Sequence, residues 1–241
     1  MMSNFISELL GTFMLVLLGN GVVAGVVLAK TKSNNSGWVV ISLGWGFAVL
    51  MGILVGFPSG GHLNPAVSIG FLVEGSLSFN EFLVYVLAQT LGAILAATAV
   101  VGLYWNHYQA TEDAGSVLAT FSTGPAIRNT TVNLFSEVLG TFVLVFVILM
   151  IGKNTPGQAI NGVVVVPANI LLIPFIIMSI TLSIGGVTGA AVNPARDLGP
   201  RIAHFLLPVP NKGDSDWSYS WIPVVGPLLG GVVAAILAGL L

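Results

Sequence analysis

Two Asn-Pro-Ala tripeptides, Asn64-Pro65-Ala66 and Asn193-Pro194-Ala195, constrain this chain more than any other feature. Asn suits a helix N-cap and Pro the first helical position, so each tripeptide should open a short helix. The residues before them, Gly60-Gly61-His62-Leu63 and Gly189-Ala190-Ala191-Val192, are mostly small, as a tight non-helical approach requires. The surroundings make this unusual. The chain is 55% hydrophobic and 7% charged, with a mean hydropathy of +0.97, whereas a soluble domain carries about a quarter charged residues. It therefore reads as an integral, multi-pass membrane protein with the lipid bilayer as a partner. At membrane depth, irregular backbone is tolerated only where it packs in protein or lines a watery path. Two buried half-helices with free amide ends imply a pore.

Composition excludes much else. With no Cys, disulfides, thiolate chemistry and Cys-ligated metals are out. A net charge of −2 gives no reason to expect a nucleic-acid partner. His62, His107 and His204 stand singly, without metal-ligand spacing, so neither a metal nor another cofactor is expected. The first apolar run, Phe5 to Leu28, lacks a basic leader and is too long for a signal peptide, so it reads as a retained span.

At about 20 apolar residues per crossing, the expected fold is all-α with six spans near Ile6–Leu28, Val39–Phe57, Phe82–Leu103, Leu134–Ile151, Val163–Ile184 and Ile222–Leu241. Asn64–Phe71 and Asn193–Leu207 are too short to cross and are taken as re-entrant half-helices. Tyr104–Thr131 and Pro208–Ser220 read as surface loops, and Pro174, mid-span, is expected to kink its helix.

The halves repeat. Ser7-Glu8-Leu9-Leu10-Gly11-Thr12-Phe13-Met14-Leu15-Val16 matches the ten residues from Ser136 to Val145 at eight of ten positions. Glu8 precedes Asn64 by 56 residues (64 − 8), and Glu137 precedes Asn193 by the same 56 (193 − 137). Three spans per half make the second half enter from the opposite face. The expectation is one channel domain, residues 1–241, built of inverted repeats at about 1–104 and 132–241, with the half-helices meeting near the midplane.

Paired Asn-Pro-Ala half-helices in a six-span inverted repeat resemble the aquaporin superfamily, over essentially the whole chain. Asn193-Pro194-Ala195-Arg196-Asp197-Leu198-Gly199-Pro200-Arg201, with Pro223 in the last span, is similar to the glycerol uptake facilitator branch. The resemblance implies a homotetramer with one pore per subunit, both termini cytoplasmic, and passive conduction of small uncharged solutes. Glycerol is the reference, with water, urea, dihydroxyacetone and protonated lactic acid as further candidates. Charge opposes that orientation: Lys153 alone falls inside, while Lys30, Lys32, Arg128 and Lys212 fall outside.

The resemblance also assigns roles. Trp45, Thr181, Ala190 and Arg196 form the selectivity filter. An Arg at membrane depth costs about 2.5–3.5 kcal/mol or more and is functional by default. Asn64 and Asn193 cap their helices with the side-chain oxygen and keep the amide nitrogen for a solute hydroxyl. An extended approach would present the carbonyls of Gly60, Gly61, His62, Gly189, Ala190 and Ala191 to the pore, opposite apolar side chains; this suits a polyol with one hydroxyl edge and one carbon edge. The His62 ring could equally be a satisfied core histidine. Asp197 should brace its loop. Glu8 and Glu137 could relay protons, but their shared offset favours hydrogen-bonded braces for the backbone before each half-helix.

The filter departs from the glycerol branch, which carries Gly at the position of Thr181 and an aromatic ring at that of Ala190. A wider, somewhat more polar constriction follows, similar to members that pass bulkier neutral solutes. The rivals are a water-selective pore and an ion-coupled transporter. A membrane-embedded hydrolase lacks a nucleophile and base cluster, so no enzyme activity is expected.

Overall fold

The computed structural model describes residues 1–154, 159–160, 163–164 and 168–241. Its helices are α1 (Met2–Val27), α2 (Trp38–Gly56), α3 (Pro65–Glu74), α4 (Phe79–Ala110), α5 (Ala114–Ala119), α6 (Thr130–Asn154), α7 (Ile173–Ser183), α8 (Pro194–Leu206) and α9 (Ile222–Gly239). Among the described residues, five are long and apolar enough to cross a membrane: α1, α2 with its 3₁₀ extension to Ser59, α4, α6 and α9. Large apolar side chains such as Phe47, Leu95, Phe135 and Leu229 lie exposed along them, as a lipid-facing surface requires.

The fifth expected span, Val163–Ile184, includes residues 165–167, which lie outside the described residues. Where described, it is not one continuous helix. Val163–Val164 pairs antiparallel with Ala159–Ile160, Ala168–Leu172 is a 3₁₀ turn, and α7 starts only at Ile173. Pro174 consequently sits in the first turn of α7 rather than in mid-helix. Its missing N–H breaks no intrahelical bond there and its fixed φ suits a helix start, so the expected kink is absent.

The expected loop Tyr104–Thr131 is also more ordered than its polarity suggested. Helix α4 continues to Ala110, with one non-helical residue, Tyr104, at φ −105° and ψ 15°. Asp113 then caps α5, accepting from the amides of Gly115 and Ser116. These turns persist because they bury apolar surface: Tyr108, Val117 and Phe121 pack in a second core with α1 and α8. At the same end, Arg128 forms an ion pair with Asp216, tying the chain before α6 to the segment before α9. That hydrogen bond pushes the Arg128 guanidinium up from its ordinary value. Asp216 sits below the ordinary carboxylate value. Partial burial opposes the shift, and hydrogen bonds from Arg128 and Ser218 outweigh it.

Close crossings hold the spans together. A Cβ on Gly92 of α4 would lie 2.3 Å from the Leu9 carbonyl oxygen of α1, and one on Gly230 of α9 would lie 2.4 Å from that of Val138 in α6. Any side chain at either position would force the helices apart, so small residues set the packing. The two half-helices are exchanged between halves: α3 packs on α9 and α8 packs on α4.

Candidate functional site

Each half-helix begins as its tripeptide dictates. Asn64 is extended at φ −157° and its Oδ1 accepts from the Ala66 amide, with Pro65 in the first turn. Asn193 is extended at φ −151° and its Oδ1 accepts from the amides of Ala195 and Arg196. Pro65, Ala66, Pro194 and Ala195 are buried beneath the caps. The amide nitrogens cross between the halves. Asn64 Nδ2 donates to the Val192 carbonyl at 2.8 Å, and Asn193 Nδ2 donates to the Leu63 carbonyl at 2.8 Å. An amide nitrogen carries two hydrogens, so one on each Asn remains for a guest, rather than both. The positive ends of the two helix dipoles are thereby held against each other.

The approach to each Asn is not uniformly extended. φ is positive at Gly60 (95°), Gly61 (64°) and Leu63 (55°), and again at Gly189 (88°), Ala190 (48°) and Val192 (42°). Those are the fourth, third and first positions before each Asn. Left-handed residues in such a run converge their N–H groups into an anion-binding concavity, and a carboxylate fills each one. Glu8 accepts from the amides of His62 (2.9 Å) and Leu63 (2.7 Å) and from the hydroxyl of Ser59 (2.6 Å). Glu137 accepts from the amides of Ala191 (3.0 Å) and Val192 (2.9 Å) and from the hydroxyl of Thr188 (2.6 Å). With the amides turned to the carboxylates, the carbonyls of Gly60, Gly61, His62, Gly189, Ala190 and Ala191 accept no hydrogen bond from any described residue.

All six of those residues line one cavity with Asn64, Asn193, Trp45, Thr181 and Arg196, and the cavity opens to solvent. The rest of the lining is largely apolar, supplied by residues such as Leu15, Val49, Val67, Leu144 and Ile177. The structure therefore brings all four expected filter residues to one passage. The Arg196 guanidinium lies 4.2 Å from the centre of the Trp45 ring, and Trp45 fits because a Cβ on Gly19 would come 2.2 Å from that ring. Thr181 contributes less polarity than its hydroxyl suggests, because its Oγ1 donates to the Ile177 carbonyl at 2.8 Å. The His62 ring joins the lining while bonding Ser68 Oγ at 3.1 Å and stacking on Phe71.

Arg196 does not pair with the adjacent carboxylate. Its Nη1 donates to the Phe121 carbonyl at 3.2 Å. Asp197 instead takes the Thr123 amide and hydroxyl on one oxygen, both at 2.7 Å, and Arg201 on the other, at 2.8 and 3.0 Å. Asp197 and Arg201 are fully buried, so this pair anchors the segment around Phe121 that Arg196 also bonds. Phe121 also accepts from Asn20 of α1 at 3.4 Å. Sequence reasoning missed Phe121, Asn20, Thr123 and Gln89, whose Nε2 donates to both Glu8 and Ser68. Phe121 acts through its carbonyl and leaves no side-chain signal. Ser59 and Thr188 could have been found: each is a hydroxyl five residues before its Asn. His107 and His204 lie outside the cavity, bonded to the Ala29 carbonyl and Ser215 Oγ respectively. Among the described residues, no group of three His, Asp or Glu is arranged to hold a metal ion.

Known proteins share this sequence and architecture. A family model described as Major intrinsic protein matches residues 1–238. The glycerol uptake facilitator protein of Streptococcus pneumoniae is 54% identical, each chain being covered in full. Glycerol uptake facilitator protein 3 of Lactiplantibacillus plantarum is 52% identical over 99% of this chain and 96% of its own. Among solved structures, the aquaglyceroporin from Plasmodium falciparum superposes with a TM-score of 0.79 at 30% identity, covering 100% of this chain and 99% of that one.

Proposed function

The chain belongs to the major intrinsic protein family, with an aquaporin-like membrane fold, and on that premise we propose that it is a passive channel for glycerol and other small uncharged solutes. One observation carries the reading: unpaired carbonyls and two Asn amide donors share one cavity with a set of apolar side chains. A polyol entering it exchanges water contacts for Arg196 first, then the carbonyls of one half, the two Asn amides, and the carbonyls of the other half. Its carbon edge meanwhile lies against the apolar wall. Because the replacements form a ladder, no single site holds the solute tightly enough to trap it. The names of its relatives support glycerol as the reference solute.

Ions are excluded on two counts. A cation meets the guanidinium of Arg196 and the paired positive helix ends, the principle generally described for aquaporin-type pores. Any ion also loses hydration that these neutral groups replace only in part. The remaining assignments are of the same kind: one channel domain of two inverted repeats, both termini cytoplasmic, and a homotetramer with four separate pores. The matched positions around Glu8 and Glu137 support the repeat.

Proteoliposome stopped-flow swelling tests the reading. Glycerol should enter rapidly, and vesicles carrying a pH-sensitive dye should show no leak that scales with protein. Water flux in sorbitol without glycerol flux would identify a water-selective pore instead. Flux that follows a proton or sodium gradient would identify a coupled transporter.

A further inference from the structure

Trp38 opens α2 and lies seven residues before Trp45, close to two helical turns, so both indoles leave the same side of the helix. Its Nε1–H donates to the carbonyl oxygen of Thr181 at 2.9 Å. That carbonyl belongs to the last turn of α7, where C=O groups have no intrahelical partner. The neighbouring Ile180 carbonyl is satisfied by the amides of Ile184 (2.8 Å) and Gly185 (3.0 Å), whereas that of Thr181 takes the indole. Gly185 leaves the room this needs. A Cβ there would lie 2.5 Å from the Thr181 carbonyl oxygen and 3.0 Å from Cζ2 of Trp38. With its hydroxyl bonded to Ile177, Thr181 is held at both its backbone and its side chain.

We propose that Trp38 is a positioning residue for solute selectivity. Its indole clasps the start of α2 to the end of α7 and so fixes the gap between Trp45 with Arg196 and the facing Thr181. The inference rests on the channel reading above. The plain alternative is a membrane-interface tryptophan, since the residue is 38% exposed. An interface role needs only an amphipathic ring; it gives no reason for the N–H to meet a filter residue's backbone.

Two variants separate these roles. Trp38→Phe keeps the ring and removes the donor. Gly185→Ala keeps Trp38 and forces a methyl into the hydrogen-bonded gap. Each should raise the xylitol-to-glycerol permeability ratio by about two- to tenfold, the weight of one neutral hydrogen bond. The double variant should go no further than either single one, because both break the same contact. Unchanged ratios at normal glycerol flux, or additive shifts, overturn the clasp. Absent glycerol flux in the wild type overturns the channel reading instead. A measurement on the wild type decides the matter if the variants fail to fold. By ¹⁵N-indole hydrogen exchange in detergent, the Trp38 N–H should be protected relative to Trp217 and Trp221, which are similarly exposed at 39% and 42%. Exchange as fast as theirs overturns the inference.

Discussion

Replacing Glu137 by Gln probes the backbone that precedes the second half-helix. Glu137 Oε1 receives the Ala191 amide and the Thr188 hydroxyl, and Oε2 receives the Val192 amide. A glutamine has one acceptor oxygen. Placed at Oε1, it keeps Ala191 and Thr188 but turns its NH₂ toward the Val192 N–H, donor against donor. Placed at Oε2, it keeps Val192, donates to Thr188 Oγ1, and orphans Ala191. Either way one buried amide loses its partner, costing about 1–3 kcal/mol, and the surviving bonds fall from charged to neutral strength, about 1 kcal/mol each. The total of about 3–5 kcal/mol corresponds to about 6–20 °C in Tm for a chain of this size. The damage should reach the pore centre, because Val192 is also the residue whose carbonyl holds Asn64. Size-exclusion thermostability in detergent, paired with stopped-flow glycerol flux, measures both effects. A variant as thermostable as the wild type, with flux that has lost a pH dependence, would refute the brace and make Glu137 a proton relay.

Three further outcomes are expected. Ala190→Phe with Thr181→Gly should suppress polyols bulkier than glycerol while sparing glycerol itself, read as stopped-flow ratios; unchanged ratios would remove Ala190 from the constriction. The φ of 48° at Ala190 already carries about 1 kcal/mol or more of backbone strain in the wild type, and a bulky ring is tolerated less well in that conformation, so the variant's yield should fall. Lactic acid flux should track the neutral fraction and rise as the pH falls below about 5, toward the ordinary carboxylic-acid range; flux that is flat with pH would mean the anion passes. The Asp216 carboxyl sits below its ordinary value, held by Arg128, so its contribution is present above the unfolded value of 3.8 and lost as the pH falls through the folded one. Arg128→Ala should therefore lower Tm slightly at pH 6, by the equivalent of about 0.2–1 kcal/mol for an exposed pair. The difference should close as the pH falls below 3.8 and through the folded value, and one that persists once Asp216 is protonated would exclude the ion pair as its cause.

The sequence made some of this legible and hid the rest for identifiable reasons. Duplication exposed Glu8 and Glu137 as braces for the backbone before Asn64 and Asn193, because an identical offset survives whatever fold connects its ends. Helix starts at Pro65 and Pro194 were legible from local capping chemistry. The left-handed turns at Leu63 and Val192 were not. A leucine and a β-branched valine both disfavour φ > 0, and only carboxylates more than fifty positions away hold them there. Phe121 escaped notice because a carbonyl acceptor leaves no residue-type signature. The Tyr104–Thr131 segment misled through its polarity, since its apolar members Tyr108, Val117 and Phe121 face inward together.

The crossed amide bonds also bear on how the protein comes into being. Asn64 and the Val192 carbonyl are 128 positions apart, and a ribosome adding 5–20 residues per second needs about 6–26 s to cover that distance. For that interval the first half exists with its Asn amide unanchored and with the face of α3 that will meet α9 uncovered. The two crossed bonds can therefore both be present only after both halves have been made. Two fragments split in the segment between α5 and α6 should therefore be inert when expressed singly and conduct when expressed together. Glycerol flux through either fragment alone would show that one half can build a centre by itself.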